Sequence, residues 1–117
     1  MRQVKQKVKP FKSQRFRRDV VRLMPCVASG APADDPHHIK GIGGGTGQKD
    51  DRLIIPLTRK EHTLFHHNPK LWEAKNGKQI DHCRYVLWRV RELGILDKRP
   101  DLIDEAEQML DELEQRK

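Results

Sequence analysis

Five of the six histidines in this chain fall into two short runs, His37-His38 and the stretch holding His62, His66 and His67. Imidazole, with an ordinary pKa of roughly 6.5, can accept a proton or bind a transition metal at neutral pH. His62 and His66 are four apart, so on a helix they lie one above the other on one face and can share an ion. His37 and His38 are neighbours, and neighbours on a strand point to opposite sides. One of them can bind metal while the other acts on water. A lone pair of histidines at this spacing is as readily an ordinary surface feature; four of them in this arrangement point to a site.

The elements that must position these side chains follow from periodicity. Residues 1–12 are basic without a period and predict a flexible arm. From Ser13 a helical stripe of Phe16, Val20 and Leu23 begins, with Arg15, Arg18 and Arg22 turned away from it. Small and turn-forming residues between Met24 and Pro36 predict a loop, and His37-His38-Ile39 a short strand. The glycines between 41 and 50 predict a mobile connector whose spacing does not match a phosphate-binding loop. Arg52 to Leu57 reads as a buried strand that ends at Pro56 and pairs with the His37-His38 strand as a hairpin. Thr58 and Glu61 form a capping box for a helix from Arg59 to about His67, which Pro69 stops. After an Asn76-Gly77 turn, Ile80, Cys83, Leu87 and Val90 repeat at helical spacing until Gly94. Ile103, Ala106, Leu110 and Leu113 mark one face of an acidic helix that begins at Asp101, with core packing as its expected role. Trp72 and Trp88 are expected to be core anchors rather than base-stacking platforms. The layout is an α+β domain: helix, β-hairpin with a long loop, helix, then two more helices.

Composition narrows the partners. The chain has 117 residues, enough for one domain, with 24 Lys and Arg against 17 Asp and Glu, a net charge of +7. Such an excess favours polyanions, nucleic acid first among them. Basic residues crowd the start and acidic ones the end, so the amino-terminal third is the expected contact with phosphates. Cys26 and Cys83 are too few for a disulfide scaffold and fit a reducing, cytoplasmic setting. No apolar run reaches the roughly 20 residues that cross a bilayer, and no signal peptide is evident, so no membrane partner is expected.

Taken together, Pro25-Cys26-x-x-x-Gly30, Asp35-Pro36-His37-His38-Ile39, the glycine-rich loop, Asp51-x-Leu53-Ile54-Ile55-Pro56-Leu57 and the His62-x-x-x-His66 helix resemble the HNH, or ββα-metal, endonucleases. Within these the chain is most similar to the phage-encoded branch that includes the recombination-enhancing nuclease Ref. The resemblance covers about Val20 to His67. It implies a bacterial cytoplasmic enzyme of phage recombination, replication or DNA processing that cuts DNA with one divalent cation. His37, His62 and His66 would hold the ion, and His38 would be the general base. Asp51 stands where the family places its central Asn or Asp and could orient His38, with Asp50 as the adjacent alternative. Three imidazoles suit zinc, manganese or nickel better than magnesium. Arg15, Arg18, Arg22, Lys40, Lys49 and Arg59 are the expected contacts to single- or double-stranded DNA. Residues 13–95 would form the nuclease domain and 96–117 an acidic helix packed on it or extending from it.

The pattern also departs from the family. Relatives often carry paired cysteines that bind a structural zinc, but Ser29 and Thr58 stand where the partners of Cys26 would be, so no four-cysteine zinc is expected. A residual site of Cys26, Cys83 and His82 is weighed against two buried thiols and a surface histidine, and the latter is preferred. Two other functions remain in view. One is a non-catalytic DNA-binding module that keeps its metal for folding. The other is an interaction protein whose acidic terminal helix docks on a basic recombination or packaging partner.

Overall fold

The computed structural model of the chain describes residues 10–39 and 49–115. Most of the basic arm and of the glycine-rich connector, with Lys40, lies outside the described residues. What is described is an α+β fold: α1 (Gln14–Leu23), β1 (Asp35–His38), β2 (Ile54–Leu57), α2 (Arg59–His67), α3 (Pro69–Asn76), α4 (Gln79–Glu92) and α5 (Pro100–Gln115). No described helix is long and apolar enough to cross a membrane.

The hairpin is the centre. β1 and β2 pair antiparallel with His37 opposite Ile55 and His38 opposite Ile54, and every residue of β2 is buried. The strand was expected to end at Pro56, yet it runs on to Leu57. Pro36 and Pro56 face each other. The Ile39 N–H donates to the Leu53 carbonyl at 3.0 Å, which makes the proline pair one that exchanges no ladder bonds. Neither missing N–H is needed there, and the outward Pro56 carbonyl accepts from the Val27 N–H at 3.1 Å.

Around the hairpin, α1 starts where the Ser13 Oγ accepts the Phe16 N–H at 3.0 Å and buries Phe16 and Val20. Leu23, expected on the same stripe, is exposed in the last turn. α2 begins as expected, with Thr58 Oγ1 accepting the Glu61 N–H at 3.1 Å. Pro69 both ends α2 and opens α3, an additional helix: at the first helical position a proline has no N–H to lose, and Asn68 Oδ1 caps it through the Leu71 N–H at 3.1 Å. Trp72 on α3 is buried and donates its Nε1–H to Glu61 Oε1 at 3.0 Å. Trp88 is not a core residue. α4 buries Cys83, Val86, Leu87 and Val90, and this leaves Trp88 on the outer face beside Tyr85 at a ring distance of 5.9 Å.

α5 buries Ile103, Ala106 and Leu110, and its carboxylates turn back on the domain. Asp104 and Glu107 pair with Arg91, Asp111 and Glu114 with Arg84, and Asp101 with Arg99. Beneath it lies Arg52, which is fully buried. Its Nε and Nη2 donate to the two oxygens of Asp50 at 2.9 and 2.7 Å, and its Nη1 donates to Glu105 at 2.7 Å and to the Leu102 carbonyl at 3.1 Å. Its guanidinium also lies 5.6 Å from the centre of the Phe11 ring. Removing one partner of a buried ion pair strands the other charge, which costs about 3–5 kcal/mol. Arg52→Met is therefore expected to lower unfolding free energy in urea by about that amount, and adding Asp50→Asn is expected to recover part of it. Equal stability of Arg52→Met and wild type would contradict this account.

Candidate functional site

The alternation of β1 divides its histidines. His37 turns inward and is buried, over the face of α2 that carries His62 and His66. Its ring centre lies 5.1 Å from that of His62 and 5.6 Å from that of His66, and the two helix rings are 4.7 Å apart. One ligand nitrogen from each of the three lies within 4.8 Å of the others. Phe65 closes the floor 4.5 Å from His37.

The hydrogen bonds around the trio fix which nitrogens face one another. Asp35 shares the inner face of β1 with His37, and its Oδ2 lies 3.0 Å from His62 Nδ1. A carboxylate only accepts, so Nδ1 carries the proton and Nε2 presents its lone pair. That Nε2 lies 3.0 Å from His66 Nε2. Arg59 grips both oxygens of Asp35, at 2.9 and 3.0 Å. This hydrogen bonding, aided by His62 and opposed by burial, holds the Asp35 carboxyl below the usual range. Gln79 Oε1, from the first turn of α4, lies 3.4 Å from His37 Nε2. Three imidazoles, one of them oriented by a carboxylate, make a donor set that fits a borderline-soft divalent ion.

His38 projects from the other face of β1. Its Nε2 lies 2.8 Å from Asp51 Oδ1, while Asp51 Oδ2 accepts the Ser13 N–H at 2.7 Å and a hydrogen bond from Arg17 Nη1. Burial pushes the Asp51 carboxyl up, but His38, the Ser13 amide and the Arg17 charge outweigh it and hold the pKa low. Asp50 turns away: its oxygens accept from Phe11 N at 3.2 Å and from Arg52. Of the two neighbouring carboxylates, Asp51 is the one that touches His38.

The expected DNA contacts are scattered more widely. Arg15, Arg18 and Lys49 are exposed, as is Arg22, which reaches Asp19 at 3.3 Å. Arg59 is exposed but engaged on Asp35. Cys26 and Cys83 are buried free thiols. His82 Nε2 bonds the Asn76 carbonyl at 2.7 Å, and His67 is exposed outside the trio. Asp35, Arg17 and Gln79 were not foreseen. The Asp35-x-His37 alternation carried a signal for the first, since residues two apart share a strand face. Nothing local marks Gln79, which reaches His37 from 42 residues away.

Comparison with known proteins places the chain in a family. Residues 1–94 match DUF968, described as a protein of unknown function, and the chain belongs to that family. It is 40% identical over 78 residues, 65% of its length, to the uncharacterized protein YdfU of Escherichia coli (strain K12), and this match covers 22% of that protein. No solved structure matches it significantly.

Because Asp51 has a lowered pKa in the fold, the stability it contributes is fully present above the unfolded value of roughly 3.9 and is lost as pH falls through the folded value. Asp51→Asn is expected to cost about 2 kcal/mol near neutral pH. The gap from wild type is expected to close below about pH 4, as read by thermal unfolding across pH. A gap that stays constant through that range would contradict the depressed pKa.

Proposed function

We propose that this chain is a metal-dependent DNA endonuclease built on a ββα-metal (HNH) core, with β1, β2 and α2 as that core. The observation that carries the reading is the convergence of His37, His62 and His66 beside a His38–Asp51 pair. A bound divalent cation would neutralise charge at the scissile phosphate and steady the departing oxygen. The donor set favours zinc, manganese or nickel over magnesium.

The protein's own groups supply the rest. Asp51, ionised and accepting from His38 Nε2–H, leaves the lone pair on His38 Nδ1. That nitrogen takes the proton of the attacking water. The carboxylate then stabilises the imidazolium, and the Ser13 amide and Arg17 keep it in place. Asp35, at His62 Nδ1, holds the His62 tautomer whose Nε2 would be the nitrogen to bind a metal. Arg15, Arg18, Arg22 and Lys49 give the basic surface that draws in DNA. The free thiols suit a reducing cytoplasm, and a phage recombination or DNA-processing role is the biological setting proposed. The acidic helix α5 gives little support to docking on a basic partner, because its carboxylates pair with the chain's own arginines.

Incubating plasmid and single-stranded DNA with the protein and Mg²⁺, Mn²⁺, Ni²⁺ or Zn²⁺ tests the reading. Wild type is expected to cut with at least one transition ion, and His38→Ala to slow cutting by about 10²–10⁴-fold while keeping the ion. His62→Ala is expected to lose both. Equal cutting by wild type and His38→Ala, or tight DNA binding with no cutting under any ion, would sink the proposal; the second result would favour a non-catalytic binding module.

The role of Asp35 is separable. Asp35→Ala is expected to weaken metal binding by about 10–100-fold in competition with a chromophoric chelator, and Asp35→Asn, which still accepts from His62, by less. Unchanged affinity in Asp35→Ala would remove it from the metal site.

A further inference from the structure

A groove of about 420 Å³ runs between α1 and β1. Arg17, Arg18, Arg22 and Gln14 line it from the helix, and Asp34 and Pro36 from the opposite side. Pro36 and His38 share one face of β1, so the groove lies on the His38 side of the strand, away from the inner face that holds His37. Arg17 stands at the junction. It meets an almost fully buried Asp51, yet is itself 31% exposed. A guanidinium has five N–H donors in a fixed fork, and among the described residues the other N–H groups of Arg17 have no acceptor. Arg18 and Arg22, four apart, extend the same cationic face along the helix.

The surroundings leave α1 more of its arginine charge than α4 keeps, although Arg22 reaches Asp19 at 3.3 Å. The arginines of α4 are engaged, Arg84 and Arg91 by α5 and Arg89 by Glu92 at 2.6 Å. In the groove, Asp34 is the one carboxylate among the lining residues, and its Oδ2 already accepts the Arg59 N–H at 2.8 Å. Three guanidinium groups around an open groove suit a phosphodiester, whose oxygens accept bidentate hydrogen bonds and carry the complementary charge.

We infer that this groove seats a backbone phosphate flanking the one to be cut, and that Arg17 bridges that phosphate to Asp51. The inference rests on the nuclease reading above. Arg17 is then a positioning residue. With one N–H on the carboxylate that orients His38 and the others on the strand, it sets where the DNA lies relative to the base. A strand missing from the groove leaves the base without its register.

The test is binding of a fluorescein-labelled DNA oligonucleotide to the full chain, read by anisotropy across a KCl series, with stoichiometric Zn²⁺ and again in EDTA. Loss of one phosphate contact lowers the slope of log affinity against log salt by about one. Arg17→Gln is expected to show that loss, and Arg99→Ala, which removes the same charge elsewhere, is expected to keep the wild-type slope. Arg17→Lys is expected to keep the slope but lower kcat at least tenfold with KM little changed, because a single ammonium replaces the fork. A wild-type slope in Arg17→Gln overturns the bridge. If Arg17→Gln is unfolded by circular dichroism, the exposed pair Arg18→Gln with Arg22→Gln decides: a slope lower by about two supports the groove, and an unchanged slope overturns it. Wild-type protein that never cuts, together with a lowered slope in Arg17→Gln, would sink the nuclease reading and leave the phosphate seat standing. Cutting with an unaltered slope would do the reverse.

Discussion

The site depends on the alternation of a strand only four residues long. In β1, Asp35 and His37 face α2 while Pro36 and His38 face α1. A slip of one residue in its pairing with β2 would exchange the two faces and take both histidines from their partners. So short a strand has few ladder bonds to hold its register. Side chains hold it from both sides: Asp35 through Arg59 and His62 on one, and His38 through Asp51 on the other. The two prolines add a further constraint, since they sit opposite each other where no ladder bond is exchanged. Shifted by one, the strand that turns over would bring its proline to a position where the sheet needs an N–H.

Asp50 and Asp51 divide their work too, although they lie ahead of β2 at a turn and not in a strand. Adjacent in sequence, they serve different structures, Asp51 the candidate base and Asp50 the buried Arg52. The chain around Phe11 crosses here as well: the Asp51 N–H donates to the Phe11 carbonyl at 2.8 Å, and the Phe11 N–H donates to Asp50. Arg52 is thus the hub of a polar cluster that ties the segment before α1 to α5, with Asp51 at its edge. A low-dielectric setting makes such a cluster rigid when every donor is satisfied. It also means that α5, although it follows the part of the chain matched by the family, closes a structure on which His38 orientation rests.

The sequence made some of this legible. Histidine spacing placed His62 and His66 on one helix face and split His37 from His38, because those inferences use only local periods of 3.6 and 2. The Thr58 cap and the hydrophobic run at Leu53 to Ile55 were equally local. Other features were not. Pro69 was readable as a stop but not also as a start, since both uses of proline look alike until the next turn is seen to be capped by Asn68. The exposure of Trp88 depends on which side of α4 meets β2 and α5, and its apolar neighbours do not encode that. Gln79 and Arg17 reach the site across tertiary contacts that no spacing rule spans.

Charge gives a case of a sequence feature whose pairing only folding reveals. Read along the chain, the acidic end is expected to pack on the core, with docking on a basic partner as the alternative, and nothing local says which arginines its carboxylates meet. Folded, its helix lies against α4, and its carboxylates meet Arg84 and Arg91, the buried Arg52 drawing on Glu105 as well. Exposed pairs of this kind add little stability. Their effect is on the field, because they offset positive charge along α4, whereas Arg15 and Arg18 of α1 have no carboxylate partner among the described residues. Exposed Lys60, Lys70, Lys75, Lys78 and Lys98 carry positive charge elsewhere on the protein as well. Under the proposed function, the arginines of α1 would add to that general attraction a local one that brings a polyanion's backbone beside His38.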